Sequence, residues 1–161
     1  MVIPIKIKKL HPDAIIPHYV HDGDAGMDVY SVKDMIIKPG ERILVPTGIS
    51  FEIPKGFEIQ VRPKSGLALK YGLTLPNSPG TLDSGYRGEL GVIMLNTSNA
   101  YYDVRKGEKI AQIILTSYEE AQIEEVTDLS ETSRGAGGFG STGLQFSNNN
   151  NNNSDDVENT Q

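Results

Sequence analysis

Apolar and polar residues alternate along most of the chain in short runs cut by Gly and Pro. Ile3, Ile5 and Ile7 alternate with Pro4, Lys6 and Lys8, which predicts a half-buried strand, with Pro4 marking a sheet edge. Met35–Ile37 ends at Pro39-Gly40, and Ile43–Val45 ends at Pro46. Ile49, Phe51 and Ile53 end at Pro54-Lys55-Gly56, and Phe57, Ile59 and Val61 alternate again. Strict alternation puts Ser50, Glu52, Glu58 and Gln60 on the wetter face. Leu90–Leu95 is apolar on both faces and reads as a central strand. Tyr101–Val104, Lys109–Thr116 and Ile123–Val126 complete the strand set. Turn signals at roughly eight- to ten-residue spacing predict an all-β sandwich or barrel in one domain. The exception is Leu67–Tyr71, about two turns of helix that Ser65 can cap and Gly72 can end.

Composition narrows the class. The chain has 161 residues and no Cys or Trp, so no disulfide framework or thiolate metal site is expected. No apolar run approaches the ~20 residues of a membrane span. The first ten residues place lysines among the apolar positions, unlike a signal peptide. A soluble, intracellular (cytoplasmic) protein with no membrane partner is expected. The net charge is −6, and Asp155, Asp156 and Glu158 of the tail carry half of it. A nucleic-acid backbone as main partner needs a basic footprint that this chain lacks.

Several stretches carry possible chemistry. Asn77–Leu90 holds three glycines, a proline, Asp83 and Tyr86, and reads as a β-hairpin or a tightly turned loop. Asp83 is either a turn residue serving the backbone or a carboxylate held for chemistry. Arg62, Lys64 and Ser65 at the helix start read equally as an anion site or as a plain capped helix. Asp22, Asp24 and Asp28 fall in a Gly-bearing turn without the spacing of a calcium loop. His18 and His21 have no third ligand nearby and read as loop histidines. Gln112 is the one long polar side chain in the run I-A-Q-I-I-L, so it needs partners or a polar site. Residues 130–146 are glycine-rich like a linker, yet carry Arg134, Phe139, Ser141 and Thr142. Together these form a kit for wrapping an anionic ligand with a flat group. The Asn-rich residues 147–161 are expected to be disordered.

Five of these stretches, in this order, resemble the five motifs of the trimeric deoxyuridine triphosphatases (dUTPases). They are Ala25–Val29, Arg62–Ala68, Asn77–Glu89, Gly107–Gln112 and Arg134–Gly143. The resemblance spans residues 1 to about 146. It departs at Lys64 and Lys109, where the family more often has Arg, and at Val29, where it often has Leu. Lysine keeps the charge but loses the bidentate fork.

The resemblance implies a jelly-roll-like β-sandwich that assembles as a homotrimer with shared active sites. Residues 1–129 would form the catalytic domain, 130–146 a flexible lid and 147–161 the tail. It implies hydrolysis of dUTP to dUMP and pyrophosphate with Mg2+, keeping uracil out of DNA and supplying dUMP for thymidylate synthesis. Asp83 would be the general base for water attack on the α-phosphorus. Asn77, Gly80, Thr81 and Leu82 would meet the uracil, Tyr86 the deoxyribose, and Phe139 would stack over the base. Arg62, Lys64, Ser65, Gly66, Gln112, Arg134, Gly138, Ser141 and Thr142 would serve the phosphates, with Arg62 ordering the site through Asp28 or the phosphates. Asp28 would reach the metal through a water. A dCTP deaminase on the same fold needs a catalytic glutamate on the strand after the Asp83 segment, where this chain has Val92, Ile93 and Met94. A non-catalytic trimeric module binding a nucleotide or a protein is the third reading, against which the intact Asp83 and glycine-rich segment count.

Overall fold

The structure, a computed structural model, describes residues 2–141. Thr142, Gly143 and the tail therefore lie outside the described residues. Two units are separated: one runs to Ala121 and the second begins at Gln122. The first carries ten strands and a short helix: β1 (Lys6–Lys9), β2 (Met27–Tyr30), β3 (Met35–Ile37), β4 (Arg42–Glu52), β5 (Phe57–Arg62), α1 (Ser65–Tyr71), β6 (Leu73–Thr74), β7 (Gly80–Leu82), β8 (Glu89–Asn96), β9 (Tyr102–Val104) and β10 (Lys109–Ser117).

They build two four-stranded sheets, ordered β1-β4-β8-β6 and β2-β10-β5-β7, and a two-stranded ribbon, β3-β9. Every pairing is antiparallel. The expected all-β jelly-roll sandwich is what forms. Val45, Leu90 and Val92 from one sheet and Val29, Ile59 and Ile113 from the other are buried in a common core. Fully burying each such side chain contributes about 1.5–3 kcal/mol. Among the described residues no helix is long and apolar enough to cross a membrane.

Several local expectations are corrected. The strands predicted on either side of Pro46 are one strand, β4. Its pairing with β8 shifts between Pro46 and Ser50, so the missing proline donor falls where the ladder is already interrupted. Gly48 sits in the shift at φ +70, and a Cβ there would lie 2.7 Å from Val32 Cγ1. Ser50, placed on the wetter face by alternation, is 6% exposed: Thr47, Ile49 and Phe51 keep the alternation toward the core, and Ser50 lies opposite Lys8 of the neighbouring β1. At the N-terminus pairing starts only at Lys6. Ile123–Val126 forms no strand, and Ile123 is 92% exposed.

Ser65 is the first residue of α1 rather than its cap. Lys64 holds the cap position with extended backbone and no capping side-chain bond. Gly72 ends the helix in the left-handed conformation at φ 66, as predicted. β8 is central within its sheet, but only alternate residues, Leu90, Val92, Met94 and Asn96, are buried. Its other face, Gly91, Ile93 and Leu95, is half-buried, beside an exposed Leu44 on β4.

Candidate functional site

The Asn77–Leu90 segment is not a paired hairpin. β7 pairs with β5 in one sheet, whereas β8 pairs with β4 and β6 in the other. The link between them is the tightly turned loop, in which the Tyr86 amide donates to the Asp83 carbonyl at 3.0 Å. β7 is the edge strand of its sheet. It leaves one side of its backbone unpaired among the described strands. Asp83 follows its last residue and is exposed. The Tyr86 phenol donates to the Glu89 carbonyl at 3.0 Å. A Cβ on Gly88 would overlap that phenol, so the ring's seat requires glycine. Asn77, Gly80, Thr81, Leu82, Asp83 and Tyr86 line one open cleft of about 330 Å³ together with Leu44, Pro46 and Ile93.

A second group forms across the other end of the same sheet. Gln112 on β10 is flanked in register by Asp28 on β2 and Arg62 on β5. Three sequence-distant motifs thus meet on one row. Asp28 is 9% exposed. Its Oδ1 accepts from Lys64 Nζ, and its Oδ2 pairs with Lys109 Nζ at 2.7 Å. Burial alone would push the Asp28 carboxyl up, but the hydrogen bonds from Lys109 and Lys64 outweigh it and hold the carboxyl below the usual aspartate range. The same hydrogen bond raises Lys109. Gln112 Nε2 donates to the Pro63 carbonyl at 3.0 Å. Gly26 leaves the room for this, since a Cβ there would lie 2.7 Å from Gln112 Oε1.

Arg62 does not reach Asp28; its Nη2 donates to Gln60 Oε1 at 2.6 Å. The carboxylate is taken instead by the two lysines, one of which, Lys109, was not among the residues expected at the site. Its signal in the sequence was its place in the Gly107–Gln112 stretch, as a cation where the family more often has Arg. Ser65 and Gly66 open α1 immediately after Lys64. Among the described residues no group of three or more His, Asp or Glu side chains could hold a metal ion.

The second unit is described by itself. Arg134 Nε donates to the Gly137 carbonyl at 2.8 Å, and the Ser141 amide donates to the Gly138 carbonyl at 3.1 Å. Phe139 has φ 48, a left-handed backbone that non-glycine residues seldom adopt, and its ring is fully exposed.

Fold and site define a jelly-roll sandwich protein with a carboxylate, a phenol and an open strand edge around one cleft. Residues 12–143 match the dUTPase family, and the chain belongs to it. It is 54% identical over 139 residues to the deoxyuridine 5'-triphosphate nucleotidohydrolase of Nautilia profundicola, covering 86% of this chain and 98% of that one. It is 55% identical to the enzyme of the same name from Clostridium tetani, covering 86% and 96%. Among solved structures, the Staphylococcus bacteriophage 80alpha dUTPase with dUPNHPP superposes with a TM-score of 0.81 at 27% identity, covering 88% of this chain and 99% of that one.

Proposed function

We propose that the protein hydrolyses dUTP to dUMP and pyrophosphate. The observation that carries this reading is the cleft in which Asp83 and Tyr86 stand beside the open edge of β7, in a chain of the dUTPase family. The uracil edge, a flat donor–acceptor pattern, pairs with the free backbone groups of β7 as an added strand would. Tyr86, anchored through its phenol to Glu89, packs on the deoxyribose and leaves no room for a 2′-hydroxyl. Asp83 accepts a proton from the water that attacks the α-phosphorus. Asn77 supports the base-binding turn: a Cβ on Gly80 would lie 3.1 Å from its Nδ2.

Ser65, Gly66 and Gln112 contact the phosphates, with Lys64 and Arg62 supplying positive charge. Arg134, Gly138, Ser141 and Thr142 clamp the outer phosphates, and Phe139 covers the base. The described residues offer no protein cage for magnesium, and both oxygens of Asp28 are engaged by lysines. The donor set therefore fits a Mg2+ carried on the triphosphate's own oxygens and waters, as magnesium prefers. When bound, it neutralises phosphate charge. Any contribution of Asp28 to that ion runs through water.

The working assembly is a homotrimer in which sites are shared between copies. The half-open apolar face of β8, the exposed Leu44 and the strand-like Ile123–Val126 segment, which has no strand partner among the described residues, support association. Residues 1–129 form the catalytic domain and 130–146 the lid, and the enzyme works in the cytoplasm. Release of pyrophosphate from dUTP, measured beside ammonia release from dCTP, tests the activity. Ammonia from dCTP, or no product from either, would overturn it. The deaminase reading is further disfavoured by Val92 and Met94, which are 1% exposed in the core.

A further inference from the structure

We propose that Lys109 is a positioning residue of the phosphate site, acting through Asp28 to fix Lys64 and the Pro63–Ser65 turn. The inference rests on the dUTP reading above and adds to it a residue that acts without touching substrate.

Strand geometry is the first support. Gln112 stands opposite Asp28. Lys109 is three positions earlier on β10, an odd offset, so regular alternation would send its side chain to the opposite face. The pairing of β10 with β2 shifts between Lys109 and Ala111. Ile110 and Ala111 are consecutively buried, at 1% and 0% exposure. The extra residue turns Lys109 onto the face of Asp28, and re-aiming a side chain is a known use of a bulge.

Charge is the second support. Asp28 is a nearly buried carboxylate with one lysine on each oxygen. Two ammonium groups on one carboxylate leave one net positive charge beside the start of α1. Remove Lys109, and Asp28 neutralises Lys64 completely, while its second oxygen loses its partner in a nearly dry setting.

The third support is convergence on one turn. Asp28 holds Lys64, and Gln112 holds the Pro63 carbonyl at 3.0 Å. β2 and β10 thus tie down two consecutive residues directly before Ser65. Lys109 secures the first tie and belongs to the same strand as the second.

The test uses the full-length protein. Lys109→Met keeps the aliphatic stem and removes the charge. It is expected to raise KM for dUTP, and the calorimetric Kd of the non-hydrolysed analogue dUpNHpp, roughly tenfold, the scale of losing one nearby charge, with kcat little changed. Lys109→Arg is expected to restore both constants. In an Asp28→Asn background Lys109→Met is expected to have no further effect, because its route is gone. Should Lys109→Met fail to fold, Lys109→Gln replaces it. Wild-type KM and Kd in the charge-free variant, or an undiminished effect in the Asp28→Asn background, would overturn the inference while leaving the dUTP reading intact. A wild type unable to cleave dUTP would overturn both.

Discussion

The Asp83 carbonyl accepts the Tyr86 amide at 3.0 Å, so one turn fixes the spacing between an exposed carboxylate and an aromatic ring. The ring is held again at its far end by the bond from its phenol to the Glu89 carbonyl. A base and a sugar-facing wall on one short turn can be tuned separately, because the backbone link survives substitution of either side chain.

Asp83→Asn keeps the shape and removes the proton acceptor. Loss of general-base catalysis costs about 10²–10⁴ in rate. Steady-state pyrophosphate release should fall in that range, while dUpNHpp still binds. Near-normal turnover would remove Asp83 from the base role.

Tyr86→Ala opens the space claimed by the ring. The parent should prefer dUTP strongly over dTTP, dCTP and UTP, because buried hydrogen bonds reject the wrong donor pattern. The variant should gain on UTP relative to dUTP by roughly tenfold or more in kcat/KM. An unchanged ratio would show that another group excludes the ribose.

Asp28 makes stability depend on acid. Its folded carboxyl lies below the ordinary aspartate value, so its contribution is complete above about pH 4, the unfolded value. It is lost as pH falls through the lower folded value. Thermal unfolding of the parent should therefore show an acid-sensitive component below about pH 4 that Asp28→Asn lacks. Parallel pH profiles for the two proteins would contradict the pairing.

Asn96 is fully buried and donates to the Ile37 and Ala100 carbonyls at 3.0 and 2.7 Å, while its Oδ1 accepts from the Ser98 amide at 2.9 Å. Asn96→Ala removes the donor to the buried Ile37 carbonyl and the acceptor of the Ser98 amide, while the exposed Ala100 keeps the Ser98 hydroxyl on its carbonyl at 3.2 Å. A loss of about 2–4 kcal/mol is expected, read by denaturant unfolding. A loss below 1 kcal/mol, roughly the scale of a surface change, would mean that water replaces the amide.

Truncation after Ser133 removes Arg134 and Phe139 but leaves the first unit, which runs to Ala121. The shortened protein should stay folded and trimeric by light scattering, yet lose most turnover. Mixed with full-length Asp83→Asn under subunit exchange, it should regain activity if one copy's lid serves another copy's Asp83. Proven exchange without recovery would refute the shared site and leave the activity untouched.

Short strand-like runs bounded by turn residues were enough to read β3, β8, β9 and β10, and alternation to read β5, because both are local properties. The five motifs, likewise, were legible as residue strings in order. The pairing of strands was not, since partners are chosen by long-range packing. The Asp83 turn therefore links two sheets instead of closing a hairpin. β4 runs through Pro46 because the ladder shifts there, a choice made by its neighbour β8. The family resemblance offered Asp28 or the phosphates as partners for Arg62, but register and the bulge in β10 brought Lys64 and Lys109 to Asp28. Residue types and their order settled which chemistry the chain can carry. Which cation meets the buried carboxylate was decided only when three strands, far apart in sequence, came into register.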